Sequence, residues 1–248
     1  MVNPFAPITH HWLDATHIAF GVFTAGLYGH RWKAEGSLFN GREPDEYRYG
    51  IDLNRLDSFS GRLWVLPSSH WALQASVGRL NEVERELTGG RISLTRSTAS
   101  AAYQRTVGGK SAVAAFVAWG ANTGEGKTTH ALIAEANLTF VDRDAVFARA
   151  EVSGKTVHDL AVEDPATPAA ALTTYTLGKL AIGYSRSFGA ILGITPGFGV
   201  SGSLSLIPAS LRPFYGTTAA PGVAVIMSLR PPRMDMPAHA GHDMMNMP

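Results

Sequence analysis

The most constraining feature of this sequence is an alternation of large apolar and small polar residues. It is clearest in "AILGITPGFGVSGSLSLI", residues 190–207. Large side chains occupy one parity: Leu192, Ile194, Pro196, Phe198, Val200, Leu204 and Leu206. Small ones occupy the other: Gly193, Thr195, Gly197, Gly199, Ser201, Ser203 and Ser205. Because successive side chains of a β-strand point to opposite faces of a sheet, this pattern predicts a strand with one apolar and one polar face.

Similar alternation recurs along the whole chain of 248 residues and predicts about eleven strands. Their predicted spans are 16–28, 31–40, 58–66, 70–80, 91–106, 111–121, 128–141, 145–153, 171–188, 190–206 and 222–230. Many approach or exceed the ~9–11 residues that a tilted strand needs to cross a bilayer. Strands of soluble proteins average ~5–6 residues. The lengths therefore favour a membrane-crossing sheet.

The predicted connections alternate between short and long. The short ones lie at 29–30, 67–69, 108–110, 142–144 and 189, and the long ones at 41–57, 81–90, 122–127, 154–170 and 207–221. Outer-membrane barrels have short periplasmic turns and long outer loops. A soluble all-β domain explains the alternation within strands, but not the alternation of loops. We therefore predict an all-β fold, an antiparallel transmembrane up-and-down β-barrel.

The predicted organisation has three parts: an outer loop segment at 1–15, barrel strands and loops at 16–230, and a flexible tail at 231–248. Bacterial single-chain barrels have an even number of strands. Eleven strands leave an open edge, whose backbone groups find no partners in lipid. We therefore expect an incomplete barrel, completed by preceding N-terminal strands of the same protein or by another protomer.

Composition excludes several classes of protein and site. The net charge is +1, which gives no reason to expect nucleic-acid binding. There is no cysteine, so disulfides and thiolate metal sites are excluded. The longest apolar run, Ala112–Trp119, is too short for a membrane helix. No Ser–His–acid pattern indicates an esterase, so we predict no catalytic residues and no enzyme activity.

One short motif suggests a nucleotide-binding protein. The stretch "GANTGEGKTT" contains a relaxed Walker A pattern from Ala121 to Thr128. A phosphate-binding loop must be followed by a helix, whose N-terminus faces the phosphates. The residues after Thr129 alternate instead, and no βαβ rhythm occurs elsewhere. We therefore interpret 122–127 as a polar loop, with P-loop nucleotide binding as a minor alternative.

Charged residues at strand positions opposite the apolar parity are predicted to line the barrel lumen. They are Lys33, Glu35, Arg62, Arg149, Glu151 and Lys179. Such residues either tune the charge preference for a solute or fill and cross-link the interior. The charged run at 41–52 is interpreted as a solvated loop rather than a constriction loop or an acid pair.

Two histidine-containing segments are candidate metal sites. Near the start, His10, His11 and His17 accompany Asp14, but adjacent histidines of an extended chain do not easily reach one ion, so packing is favoured there. The tail "MDMPAHAGHDMMNMP" is richer in soft ligands. Its candidate ligands are Met234, Met236, His239, His242, Met244, Met245 and Met247. Thioether sulfur suits Cu(I) and Ag(I), so the tail is predicted to capture copper or silver, against the alternative of a chance bias in a disordered tail.

Several blocks resemble a family of largely uncharacterised outer-membrane β-barrel proteins of Gram-negative bacteria, often found beside copper and other heavy-metal resistance systems. The similar blocks are "NPFAPITHHWLDATHIAFGVFTAGLY", "FNGREPDEYRYGIDLNRLDSFSGRLWVLPSSHWALQASVGRL", "RSTASAAYQR" and "YGTTAAPGVAVIMSLRPPRM". Family members resemble one another over a longer chain, with a signal peptide and further strands before the first block. The resemblance implies no catalytic residues.

The expected function is therefore porin-like: passage of, or tolerance to, metal ions or small solutes in the outer membrane, with the tail in the periplasm. The expected partners are outer-membrane lipid and the solute, and no cofactor is required. The alternative is a structural or adhesion-type barrel with a plugged lumen.

Overall fold

The structure is a computed structural model that describes residues 3–13, 21–42, 47, 49–51, 53–85, 91–124, 126–157, 159–160, 162 and 173–231. Its strands are β1 (Val22–Tyr28), β2 (Trp32–Phe39), β3 (Ser58–Ser68), β4 (Trp71–Arg85), β5 (Arg91–Val107), β6 (Ser111–Gly124), β7 (Lys127–Phe140), β8 (Asp144–Thr156), β9 (Thr174–Ser187), β10 (Thr195–Leu206) and β11 (Ala219–Arg230). Short helices lie at α1 (His10–Leu13) and α2 (Arg212–Tyr215), the latter preceded by a 3-10 turn at Ala209–Leu211. None of the described helices is long and apolar enough to cross a membrane.

All eleven strands form one antiparallel sheet, in which each strand pairs with the next along the chain. The predicted all-β, antiparallel up-and-down architecture is thus confirmed. Among the described residues the sheet is open, with β1 and β11 as its edges. Because the number of strands is odd, the two edge strands run in the same direction, so that a single strand between them would be antiparallel to both.

Up-and-down topology places alternate connections at opposite ends of the sheet. The turn end carries the connections 29–31, 69–70, 108–110, 141–143 and 188–194. The loop end carries 40–57, 86–90, 125–126, 157–173 and 207–218. The positions of the five predicted long loops therefore share one end, but the predicted division into short and long connections is only partly correct, because 125–126 has two residues and 188–194, at the turn end, has seven. The turn at Val141 and Asp142 has two successive positive φ angles, 48° and 61°, and such backbone matches the twist of a tight hairpin.

Several predicted boundaries are wrong. The segment 122–127 is not a long loop, since β6 and β7 pair up to Gly124 and Lys127. The loop predicted at 81–90 is shortened by β4, which continues past a bulge between Leu80 and Glu84. The predicted strand 190–206 begins only at Thr195, because Leu192 and Gly193 form a turn with φ angles of 51° and 77°.

The two faces of the sheet have opposite character, which follows from the register. One face, called here the polar face, carries Glu35, Arg62, Glu135, Arg149 and Glu151 with the residues aligned to them. The other, the apolar face, carries large hydrophobic residues that are widely exposed, among them Leu63, Val77, Leu132, Ile182, Val223, Val225 and Met227. The most buried strand residues, such as Leu80, Ile133 and Phe147, belong to the polar face. In a water-soluble sheet the apolar face is normally the covered one, and here the arrangement is reversed.

Candidate functional site

The candidate site is the polar face, where register brings the predicted lumen residues together in two groups. Residues paired directly across an antiparallel ladder lie on the same face. In the first group, Glu35 of β2 is opposite Arg62 of β3, and Lys33 is two residues from Glu35 on β2. In the second group, Arg149 and Glu151 alternate along β8, and Lys179 of β9 is opposite Glu151. All six predicted residues therefore occupy one face.

Glu135 extends the second group and was missed in the sequence. It lies on β7 directly opposite Arg149, and its carboxylate Oε2 accepts a hydrogen bond from Arg149 Nε at 2.9 Å. The two side chains are only 5% and 7% exposed. In the alternation of β7, Glu135 has the same parity as Ala131, Ile133 and Asn137. This parity is the feature of the sequence that indicates a place for Glu135 on the polar face.

The N-terminal segment covers the second group. Arg149 Nη1 donates to the carbonyl oxygen of Phe5 at 2.6 Å. The amide N–H and the hydroxyl of Thr9 both donate to Glu151 Oε1, at 3.3 and 3.2 Å. The predicted outer loop segment 1–15 thus includes residues that lie across the polar face. Through these hydrogen bonds its described part, 3–13, contacts β8.

Trp12 is the largest well-buried side chain of this segment, with 1% exposure. Its indole Nε1–H donates to Thr129 Oγ1 at 2.9 Å, and Lys155 Nζ lies 4.9 Å from the ring centroid. Gly120 of β6 permits the close approach, since an added Cβ would lie 2.8 Å from the Trp12 carbonyl carbon. The Asn122 amide donates to the His11 carbonyl at 3.2 Å. The Trp12 side chain therefore packs closely against residues of β6, β7 and β8.

A small cavity of about 110 Å³ remains between this segment and strands β8–β11. It is lined by Asn3, Phe5, Arg149, Glu151, Lys179, Ala181, Ser201, Ser203 and 222–224. The side-chain nitrogen of Asn3 is buried without a hydrogen-bond partner among the described residues. The lining thus combines two cations, one carboxylate and hydroxyl groups, which suits water or a small polar solute.

The first group is much more open. Lys33 Nζ lies 3.0 Å from Glu35 Oε2, and the side chains are 48% and 22% exposed. Lys33 Nζ also lies 5.8 Å from the ring centroid of Trp64. The hydrogen bonds between residues 3–13 and the sheet that are given above reach β6, β7 and β8. The polar face therefore has a covered side and an open side.

Above the open side, at the loop end, Arg42 organises an ion cluster. Its guanidinium donates to Asp57 Oδ1 and Oδ2 at 3.1 and 2.6 Å and to Glu82 Oε2 at 3.0 Å. Arg91 approaches the same Glu82 oxygen at 3.8 Å. The hydrogen bond from Arg42 holds the pKa of Asp57 below its usual value, although burial acts in the opposite direction. The cluster ties β2, β3, β4 and β5 together where the loops begin.

Aromatic residues of the apolar face are concentrated toward the strand ends. Near the turn end are Trp32, Trp71, Tyr103, Phe140 and Tyr184, and closer to the loop end are Phe23, Phe59 and Trp119. The rings of Trp71 and Tyr103 are in contact, with centroids 5.0 Å apart. Rows of Trp and Tyr at both ends of an apolar band are typical of proteins at lipid–water interfaces.

The candidate metal sites find no support in the described residues. No group of three or more His, Asp or Glu side chains able to hold a metal occurs within the described ranges. His10 Nδ1 is 2.6 Å from the Pro7 carbonyl oxygen, whereas Asp14 and His17 lie outside the described residues. The predicted tail ligands also lie outside them: Met234, Met236, His239, His242, Met244, Met245 and Met247.

The segment that contains the relaxed Walker A pattern forms the β6–β7 hairpin. Asn122 pairs with Thr129 and Thr123 with Thr128, and the hydroxyl groups of these two threonines are 2.9 Å apart. A strand therefore occupies the place of the helix that a phosphate-binding loop requires.

Comparisons with protein families, curated proteins and solved structures found no match.

Proposed function

We propose that this protein is an outer-membrane β-barrel that passes metal ions or small solutes, or helps the cell to tolerate them. The observation that carries the proposal is the reversed polarity of the sheet. Large hydrophobic side chains are exposed on the apolar face, whereas charged residues such as Glu151 and Arg149 are covered, at 3% and 8% exposure. Exposure of such an apolar face to water raises the free energy of the folded protein, whereas contact of the same face with lipid tails is favourable.

Strand length and end residues support the same proposal. The strands from β3 to β11 have 11 to 17 residues, long enough to cross a bilayer at a tilt. Aromatic residues near both ends supply the belts expected at membrane interfaces. Lys33, Glu35 and Arg62 on the open side are suited to line a water-filled path and to select solutes by charge.

The alternative, a plugged structural barrel without transport, is favoured by one observation: residues 3–13 occupy the covered side of the polar face. Conductance separates the two functions. The protein is purified from the outer membrane together with any strands or protomers that complete its barrel, reconstituted into liposomes and floated on a density gradient, and its ion current is then recorded in planar bilayers. The porin proposal expects flotation with the lipid and a steady current, and flotation without current favours the plugged barrel. Failure to associate with lipid contradicts both.

The orientation follows from the proposed location. We place the loop end outside the cell and the turn end in the periplasm, because outer-membrane barrels have that asymmetry. Protease added to intact cells is expected to cut within the connections 40–57 or 157–173 and to spare the turn at 141–143. Cleavage at that turn in intact cells contradicts the orientation.

The tail is proposed as a periplasmic site for Cu(I) or Ag(I). The proposal rests on its five methionines and two histidines, soft and borderline ligands that suit these ions. A synthetic peptide of residues 231–248 is titrated with Cu(I) against a competing chelator. A second peptide carries leucine at Met234, Met236, Met244, Met245 and Met247. The first is expected to bind more tightly, and equal affinities contradict the proposal.

A further inference from the structure

We propose that residues 3–13, called here the N-terminal plug, form a releasable obstruction of the barrel lumen, seated through Trp12. The inference rests on the proposed function, since an obstruction has meaning only in a conducting barrel. Nothing in the strand pattern requires these residues to enter the sheet, and they are tied to it by side chains rather than by a β-ladder. The plug can therefore leave without breaking the sheet.

The plug is held at three separated points along the polar face. Phe5 is held through its carbonyl oxygen by Arg149, Thr9 through its amide and hydroxyl by Glu151, and Trp12 through its indole by Thr129. Thr9 is fully buried and Trp12 nearly so. Contacts at both ends and in the middle make this a defined docked state.

Two of the three contacts use predicted lumen residues. In the docked plug, Arg149 and Glu151 are engaged with Phe5 and Thr9, so they do not meet a passing ion. When the plug leaves, the same residues face water together with Glu135 and Lys179, on strands that are already paired in register. Plug release therefore changes both the width and the charge of the path.

Gly120 supplies a specific way to expel the plug. A methyl group there would lie 2.8 Å from the Trp12 carbonyl carbon and 2.9 Å from Trp12 Cβ, too close for undisturbed packing. Gly61 on β3 is a matched control, because an added Cβ meets nothing within 4 Å there. A second variant, Trp12→Ala, removes the anchor without introducing a clash.

The experiment reads plug docking and conductance separately. The chain has no native cysteine, so Ser153→Cys gives a single thiol at a fully buried residue of the polar face, between Glu151 and Lys155 on β8, and its maleimide labelling rate in the purified protein reports docking. Slow labelling is expected in the otherwise unchanged chain and in Gly61→Ala. Labelling at least several-fold faster is expected in Gly120→Ala and Trp12→Ala. Equal labelling in all four overturns the docked plug, whatever the chain does in lipid.

Conductance is then compared in the same backgrounds without the Ser153 substitution. Each variant must first float with liposomes, which tests the membrane location by itself. Gly120→Ala and Trp12→Ala are expected to raise the mean single-channel current several-fold over the unchanged chain and Gly61→Ala. Faster labelling with unchanged current overturns the obstruction and leaves the membrane barrel standing. Absence of flotation removes the proposed function and with it the obstruction.

Discussion

Two ion pairs on the same face of the sheet have almost the same geometry and different surroundings. Glu135 and Arg149 are 2.9 Å apart and 5% and 7% exposed. Glu35 and Lys33 are 3.0 Å apart and 22% and 48% exposed. The first pair lies beneath the N-terminal plug, and the second lies on the open side. The distance between the charged atoms therefore does not distinguish the two pairs. The exposure of their side chains does.

The physical reason is the competition between solvation and attraction. An exposed pair gains little, because water and salt screen it and two long side chains must be ordered. A covered pair has lost its hydration, so each member depends on the other. The covered side of the polar face should thus respond strongly to single changes, and the open side weakly.

The largest expected effect is on the covered pair. Glu135→Ala leaves Arg149 charged, covered and short of one partner, so we expect a loss of about 3–5 kcal/mol in the free energy of unfolding. Urea unfolding of the refolded protein measures it. The double variant Glu135→Leu with Arg149→Leu should lose less than Glu135→Ala, because no isolated charge remains. A double variant that is less stable than the single one contradicts the view that uncompensated charge dominates.

A second expected effect concerns packing near the same pair. Phe147 on β8 is 1% exposed, and a Cβ on the paired Gly183 would lie 2.7 Å from its ring carbon Cε1. Gly183→Ala should therefore cost about 1–3 kcal/mol through overpacking. Gly202→Ala on β10 is the control, since a Cβ there meets nothing within 4 Å. Equal unfolding midpoints for the two variants would show that the ring moves aside freely.

The contrast between the two sides also separates what the sequence predicts from what it does not. Alternation predicted the strands and the parity of Arg149 and Glu151, because the period of a strand is local. It failed at 122–127, where a run of Gly, Asn and Thr is typical of a loop. There the cross-strand pairing of Thr123 with Thr128 extends the hairpin.

The contacts that cover the polar face, unlike the strands, cannot be predicted from a local pattern in the sequence. The bond from Arg149 to Phe5 joins residues 144 positions apart, and that from Trp12 to Thr129 joins residues 117 apart. No local period reports contacts of that range. Trp12 and Gly120 come together only once the sheet has formed, and the sequence of the N-terminal segment by itself predicts only a loop.

A third prediction concerns the ion cluster at the loop end of the open side. Because Arg42 lowers the pKa of Asp57 in the folded protein, the unfolded chain takes up the proton first as the pH falls. The contribution of Asp57, about 1 kcal/mol, is thus fully present above the ordinary pKa of an aspartate, about 3.9, and is lost as the pH falls through the lowered value. Asp57→Asn should be less stable than the unchanged chain at pH 7. The difference should shrink below about pH 4, and a difference that grew on acidification would contradict the sign.

The smallest expected effect is on the exposed pair and tests the comparison from its other side. Lys33 is half in solvent, so Lys33→Ala, Glu35→Ala and their double variant should give a coupling energy of about 0.2–1 kcal/mol. Raising the salt from 0.1 M to 1 M shortens the screening length from about 10 Å to about 3 Å, and the coupling should then fall toward zero.

The Glu135–Arg149 coupling should persist in the same salt, because this pair lies beneath the plug. If Trp12→Ala, which removes the anchor of the plug, makes the Glu135–Arg149 coupling as salt-sensitive as the exposed one, cover rather than distance sets the strength of both pairs. A Glu135–Arg149 coupling that stays insensitive to salt after plug release would instead assign its strength to the sheet itself.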